Sequence, residues 1–161
     1  MEMTDGAAMD NGEAAVLRAA DLLGGRTTFK RSLATALDAH EVILSGFPGN
    51  ALVHLASNVA FIRRPESFEK ATGISLRTFQ RRKKETVPKR LSQEQSGRAW
   101  KFAEIVGMAT DILGSQEEAE RFLESPAIGL DQRRPIDLLS TPAGVELVEE
   151  HLERIRYGVY A

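Results

Sequence analysis

Residues 65–84 read PESFEKATGISLRTFQRRKK, and the architecture follows from how this stretch punctuates itself. Pro65 fits a first helical position, Phe68 and Ala71 are spaced for one buried face, and Gly73 supplies the left-handed residue that ends a helix. A short helix is therefore expected over Pro65–Thr72. Past Ile74, Ser75 is a good N-cap for a second helix from Leu76 to about Lys84. At about 100° per residue, Leu76, Phe79, Gln80 and Lys83 project to one side, and Arg77, Thr78, Arg81, Arg82 and Lys84 to the other. The second helix is amphipathic with a cationic outer face.

Two short helices meeting at a glycine turn, the second one basic, form the arrangement that sets a recognition helix into a DNA major groove. Arg can read guanine bidentately, and Lys and Arg hold phosphates. A solvated basic surface helix would give the same local pattern. Glu69, four residues before Gly73, stands where helix-turn-helix pairs usually carry a small residue, which predicts a looser crossing.

Charge is partitioned along the chain in a way that the net value of −2 conceals. Residues 1–62 carry four basic and seven acidic side chains, residues 63–90 carry ten and three, and residues 91–161 carry seven and thirteen. Only the middle segment is built for polyanions.

Outward from that segment the signals stay helical. Ser92 and Gln95 form a capping box for a helix ending at Leu113, with Gly114 beyond it; Phe102, Val106, Ala109 and Leu113 keep the helical period, and Ile105 and Ile112 widen the stripe. Ser115 and Glu118 repeat the box pattern for Gln116–Leu123. A Gly- and charge-rich loop, Ser125–Arg134, leads to a short apolar turn at Pro135–Leu139. Thr141 and Pro142 then open a last helix with Val145, Val148, Leu152 and Ile155 on one stripe, closed by Gly158. In the N-terminal third, helices are expected over Glu13–Leu23, Ser32–Leu44 and from Pro48 through Ser57, while Met1–Gly12 reads as disordered. Glu41–Leu44 is ambiguous between helix and strand, and no period-two pattern competes elsewhere.

Catalytic chemistry has little support. The chain has no cysteine, which removes disulfides, thiolate metal sites and cysteine nucleophiles. His40, His54 and His151 lack metal-ligand spacing, and no serine has an identifiable His and Asp set. The glycines at 24–25 and 46–49 are not followed by the Gly-Lys-Ser/Thr of a phosphate loop. Trp100 reads as core. No catalytic residue, metal or cofactor is expected. Neither a signal peptide nor a membrane span is apparent, so a cytoplasmic location is expected. Tyr157 and Tyr160, past the end of the last helix, are ordered only if something packs on them: their own domain or a partner.

Gly73-Ile-Ser-Leu-Arg-Thr-Phe-Gln-Arg-Arg-Lys83, Leu91-Ser-Gln-Glu-Gln-Ser96 with Arg98, and Arg134-Pro-Ile-Asp-Leu-Leu139 with Thr141, Gly144, Val148, Leu152, Arg154-Ile155 and Tyr157-Gly-Val-Tyr160 together resemble the Xre/MbcA/ParS antitoxins. The last block is the most specific in order and spacing. Gln95, where the family more often has Glu, and Trp100 depart from its pattern. The resemblance implies an all-α protein: an extension over 1–36, partly disordered; a helix-turn-helix DNA-binding and dimerisation region over 37–90; and a small helical toxin-binding domain over 91–161. It implies a type II antitoxin, not an enzyme, that neutralises a RES-type NAD-consuming or ADP-ribosylating toxin by covering its active site, and represses its own operon as a homodimer on operator DNA within a larger complex. The DNA-contact residues would be Ser75, Arg77, Thr78, Arg81, Arg82 and Lys84. Toxin contacts would come from the Ser125–Pro135 loop and the tail, with Arg133, Arg134, Pro135, Tyr157, Gly158, Val159 and Tyr160 as the candidates. NAD would belong to the toxin. The alternative is a stand-alone helix-turn-helix regulator whose C-terminal part dimerises or senses a ligand.

Overall fold

The structure, a computed structural model, describes residues 11–86 and 89–158. Over these residues the protein is all-α. Its helices are α1 (Asn11–Leu22), α2 (Gly25–Phe29), α3 (Ala36–Ser45), α4 (Asn50–Asn58), α5 (Pro65–Thr72), α6 (Leu76–Lys83), α7 (Gln93–Leu113), α8 (Gln116–Glu124) and α9 (Pro142–Arg156). Single 3-10 turns lie at Ala60–Arg63, Ile128–Leu130 and Pro135–Leu138, and the strand-like pairing among the described residues is an isolated bridge between Ala127 and Arg133.

The starts of the later helices are set by their caps. The Ser75 hydroxyl accepts the Thr78 amide, Ser115 that of Glu118, and Thr141 that of Gly144, with Pro142 in the first turn. At α7 the box is reciprocal, the Gln95 side chain accepting from the Ser92 amide at 3.0 Å. At α8 only the serine half forms, because the Glu118 carboxylate pairs with Arg121 instead.

α7 is the axis of the molecule. It packs against α1, α3 and α5 on the N-terminal side and α8 and α9 on the C-terminal side. Its buried residues are accordingly not one stripe: Ala99, Trp100, Ala103 and Gly107 join Phe102, Ile105, Val106 and Ala109, since a helix packed on several sides needs a wide apolar surface, and the strip of Lys101, Glu104 and Asp111 stays partly open. Trp100 meets Phe47 edge-on at 6.4 Å, and Phe47 meets Phe29 at 5.1 Å. At Gly107 a Cβ would already stand 3.3 Å from Arg18 Cβ, which is how closely α1 approaches. Residues 11–36 are not loose as a whole: Val16, Ala19, Ala20 and Leu23 are buried, and Leu33 with them.

Local expectations shift in three places. α3 starts at Ala36, because Thr35 and Asp38 make a reciprocal capping box there, and Glu41–Leu44 is helical within it. α4 starts at Asn50, after a turn at Pro48–Gly49. The five-residue α2 was not foreseen; Gly24 (φ 105°) and Lys30 (φ 59°) close its two ends in the left-handed region. Of the segment read as disordered, residues 1–10 lie outside the described residues, and Asn11–Gly12 open α1.

Candidate nucleic-acid interface and protein-binding surface

α5 and α6 meet as the glycine turn dictates. Gly73 is left-handed (φ 75°, ψ 8°), its amide bonds the Glu69 carbonyl, and Thr72 ties the turn by donating to the Phe68 carbonyl at 2.8 Å while accepting from the Ile74 amide at 3.1 Å. Phe68 and Phe79 stack at 4.9 Å, so the crossing is an aromatic contact, and Glu69 points to solvent. From α7, Arg98 Nη2 donates to the Lys70 carbonyl at 2.7 Å, a cation on the last turn of α5.

The stacking of Phe79 also sets the rotation of α6. Leu76, Thr78 and Arg82 are half-buried around buried Phe79, whereas Arg77, Gln80, Arg81, Lys83 and Lys84 are exposed. The helical wheel put Gln80 and Lys83 on the inner side and Arg82 and Thr78 on the outer one; the true inner arc is centred on Phe79. Arg82 lines an apolar cavity with Leu52, Val53, Ile74 and Leu91, its Nη1 buried and without a hydrogen-bond partner. Ser75 and Thr78 bond each other at 2.9 Å.

The basic segment divides by what its cations already hold. Arg63 donates to the carbonyls of Ala56 (2.8 Å) and Ser57 (3.0 Å) at the end of α4, and Arg90 to the Gly46 carbonyl (2.8 Å). Arg64 pairs with Glu124, and Lys70 pairs with Glu66 and Asp137. Arg77, Arg81, Lys83, Lys84 and Lys89 are exposed and make no ion pair among the described residues. These five are the charges free to meet a polyanion. Lys83 and Lys89 were not among the sequence candidates, because a wheel cannot know its own phase and a loop lysine gives no periodic signal.

On the C-terminal side the candidates separate. Arg134 is held in an ion cluster: Nε and Nη2 reach the two Asp137 oxygens at 2.9 Å each, and Nη2 reaches Glu66 at 2.9 Å. Hydrogen bonds from Arg134 and then Lys70 hold the Asp137 carboxyl below its ordinary value, and bonds from Lys70 and Arg134 do the same for Glu66; Asp137 and Glu66 in turn raise Lys70. The cluster ties α5 to the Pro135–Leu138 turn, in which Pro135 is buried. Arg133 is exposed, its carbonyl accepting from the Ala127 amide at 3.1 Å. Tyr157 is 76% exposed, Gly158 follows at φ 70°, and Val159 and Tyr160 lie outside the described residues.

The Ser125–Arg134 loop has a built shape. Asp131 (φ 55°) and Gln132 (φ 61°) are both left-handed, and the loop carries Ile128, 80% exposed, at its outer edge. Behind it Gly129 backs onto His151, where a Cβ would fall 2.6 Å from Cε1, and the imidazole stacks on Phe122 at 5.9 Å. Burial, and then Arg154, lower the His151 pKa. Gly144 is required by contact: a Cβ would lie 1.9 Å from the Leu138 carbonyl oxygen. Among the described residues no cluster of three or more His, Asp or Glu could hold a metal, and no helix is long and apolar enough to cross a membrane.

Residues 38–104 match the antitoxin Xre-like helix-turn-helix domain, and residues 108–158 match the antitoxin Xre/MbcA/ParS C-terminal toxin-binding domain. The chain is 32% identical over 93 residues to an antitoxin Xre of Yersinia enterocolitica, covering 57% of this chain and 62% of that protein. It is 30% identical over 126 residues to an antitoxin Xre of Pseudomonas putida, covering 78% of this chain and 76% of that protein. The alignment thus spans a little under two thirds of the first relative's length.

Proposed function

The chain belongs to the Xre antitoxin family, and on that premise we propose that it is the antitoxin of a type II toxin–antitoxin pair, binding a RES-type toxin through its C-terminal part and its own operator through α6. One observation carries this. The two matched domains follow each other along the chain: the exposed cationic face of α6 lies in the first, while the second holds the shaped loop with Ile128 at its edge and the exposed Tyr157.

On the DNA side, Arg77, Arg81 and Lys84 of the original candidates are best placed, with Lys83 and Lys89 added as phosphate contacts. Ser75 and Thr78 can present a hydroxyl or backbone amide to a phosphate from the start of α6, and Arg82 supports the helix from beneath. On the toxin side, Ile128, Arg133 and Tyr157–Gly158 form the contact surface, and Arg134 and Pro135 hold that surface in place. The described part of the surface offers bulk and shape and no catalytic set, which suits an inhibitor that occludes an NAD pocket belonging to the toxin. No cofactor is required of this chain. The work divides between residues 37–90 for DNA and dimerisation and 91–161 for the toxin, α7 serving both, with 1–36 as a flanking extension.

Co-expression with the protein encoded beside it provides the test. The two should purify as one complex in which the partner no longer consumes NAD, and Ile128→Asp should release that activity. An inactive partner that regains nothing when this chain is removed, or a mixture from which the two elute separately, would refute the assignment.

A further inference from the structure

Beneath α6 lies a cavity of about 80 Å³ walled by Leu52, Val53, Ile74, Phe79 and Leu91, all buried except the half-buried Val53. Arg82 lines it too, and its Nη1 is buried with no hydrogen-bond partner among the described residues. A buried donor left in that state carries an uncompensated desolvation cost. Phe79 and Arg82 belong to α6, so the cavity touches the inner side of the helix whose outer side presents Arg77 and Arg81.

Water is a poor occupant, because it needs roughly two to four polar partners and these walls are almost wholly hydrocarbon. The described residues lining the cavity include three cations, Arg82 with the exposed Lys83 and Lys89, and no carboxylate. Their charge favours an anion, and the walls favour an apolar chain. The guanidinium narrows the choice of anion, since its N–H fork matches a carboxylate. Size narrows the chain: an apolar cavity of about 150 Å³ holds a benzene ring, so this one has room for about three or four carbons.

We propose that the cavity binds a small monocarboxylate with a short branched apolar chain. The carboxylate accepts from Arg82 Nη1, and the chain lies against Leu52, Ile74 and Leu91. A neutral apolar molecule would leave Nη1 unpaired, and inorganic phosphate would leave the hydrocarbon walls empty. The site stands apart from toxin and operator binding, and neither enters its test.

Isobutyrate is the probe, added to the full chain labelled at the isoleucine δ1 methyls, with sodium chloride keeping the ionic strength constant. It should shift the Ile74 methyl resonance saturably with a Kd of about 1 mM, and leave those of Ile112 and Ile128 in place. Isobutyramide has the same shape without the charge and should bind about tenfold more weakly; acetate, which lacks the chain, should bind no better than the amide. In Arg82→Met, acid and amide should differ by less than about threefold, the unmoved Ile112 and Ile128 resonances showing an intact fold. Equal binding of acid and amide by the parent chain would overturn the proposal, as would acetate matching isobutyrate or an Ile74 methyl that does not respond by about 30 mM isobutyrate. Those three comparisons need no variant, so they decide the matter even if Arg82→Met fails to fold.

Discussion

At the scale of single residues, two positions hold the junction between the DNA-binding pair and the rest. Gly73 sits at φ 75°, and a Cβ there would stand 2.7 Å from Arg98 Nη1. Gly73→Ala should therefore cost about 2 kcal/mol, part from the left-handed backbone and part from displacing Arg98 off the Lys70 carbonyl, measured by urea denaturation. Asp137 and Glu66 are both held below their ordinary values of 3.8 and 4.5. A carboxylate with a lowered folded value stabilises above its unfolded value, and the gain disappears as the pH falls through the folded one. Asp137→Asn should cost about 1 kcal/mol at neutral pH, the partial exposure of the cluster screening the rest, and the difference from the parent should vanish as the pH falls through the lowered Asp137 value. A deficit that persists in acid would mean that packing, not charge, holds the turn.

At the scale of elements, α6 is where the proposed phosphate contacts concentrate. Arg77→Ala with Arg81→Ala should weaken operator binding and flatten its dependence on log salt by about two, one for each phosphate lost. Arg82→Met should leave the salt dependence unchanged, since that side chain is turned inward; fluorescence anisotropy across a salt series distinguishes the two variants. The helix boundaries around this element were legible because their causes are local: Ser75, Ser92, Ser115 and Thr141 each cap within three residues of themselves. The rotation of α6 was not legible, because Phe79 is fixed by Phe68 across the turn and a wheel drawn from Leu76 misplaces Arg82 and Lys83. Nor could the charge run reveal that Arg63 and Arg90 are engaged with carbonyls of other elements.

For the molecule as a whole, α7 runs through both matched domains and packs on elements of each, so the DNA-facing and protein-facing ends share one core. The Glu66–Lys70–Arg134–Asp137 cluster joins the same two ends at the surface. The place of α1 in that core was hidden from the sequence, since the helix that carries buried Val16, Ala19 and Ala20 packs on α7, which begins more than seventy positions later. The proposed function rests on a free cationic helix at one end and a shaped loop with exposed Ile128 at the other, both of them surfaces for binding. Growth measures the proposed neutralisation most directly. Inducing the neighbouring gene alone should arrest growth, and inducing this chain with it should restore the growth rate fully, with Ile128→Asp failing to do so while still soluble. Arrest that persists with both wild-type proteins soluble and present in equal amounts would contradict the account.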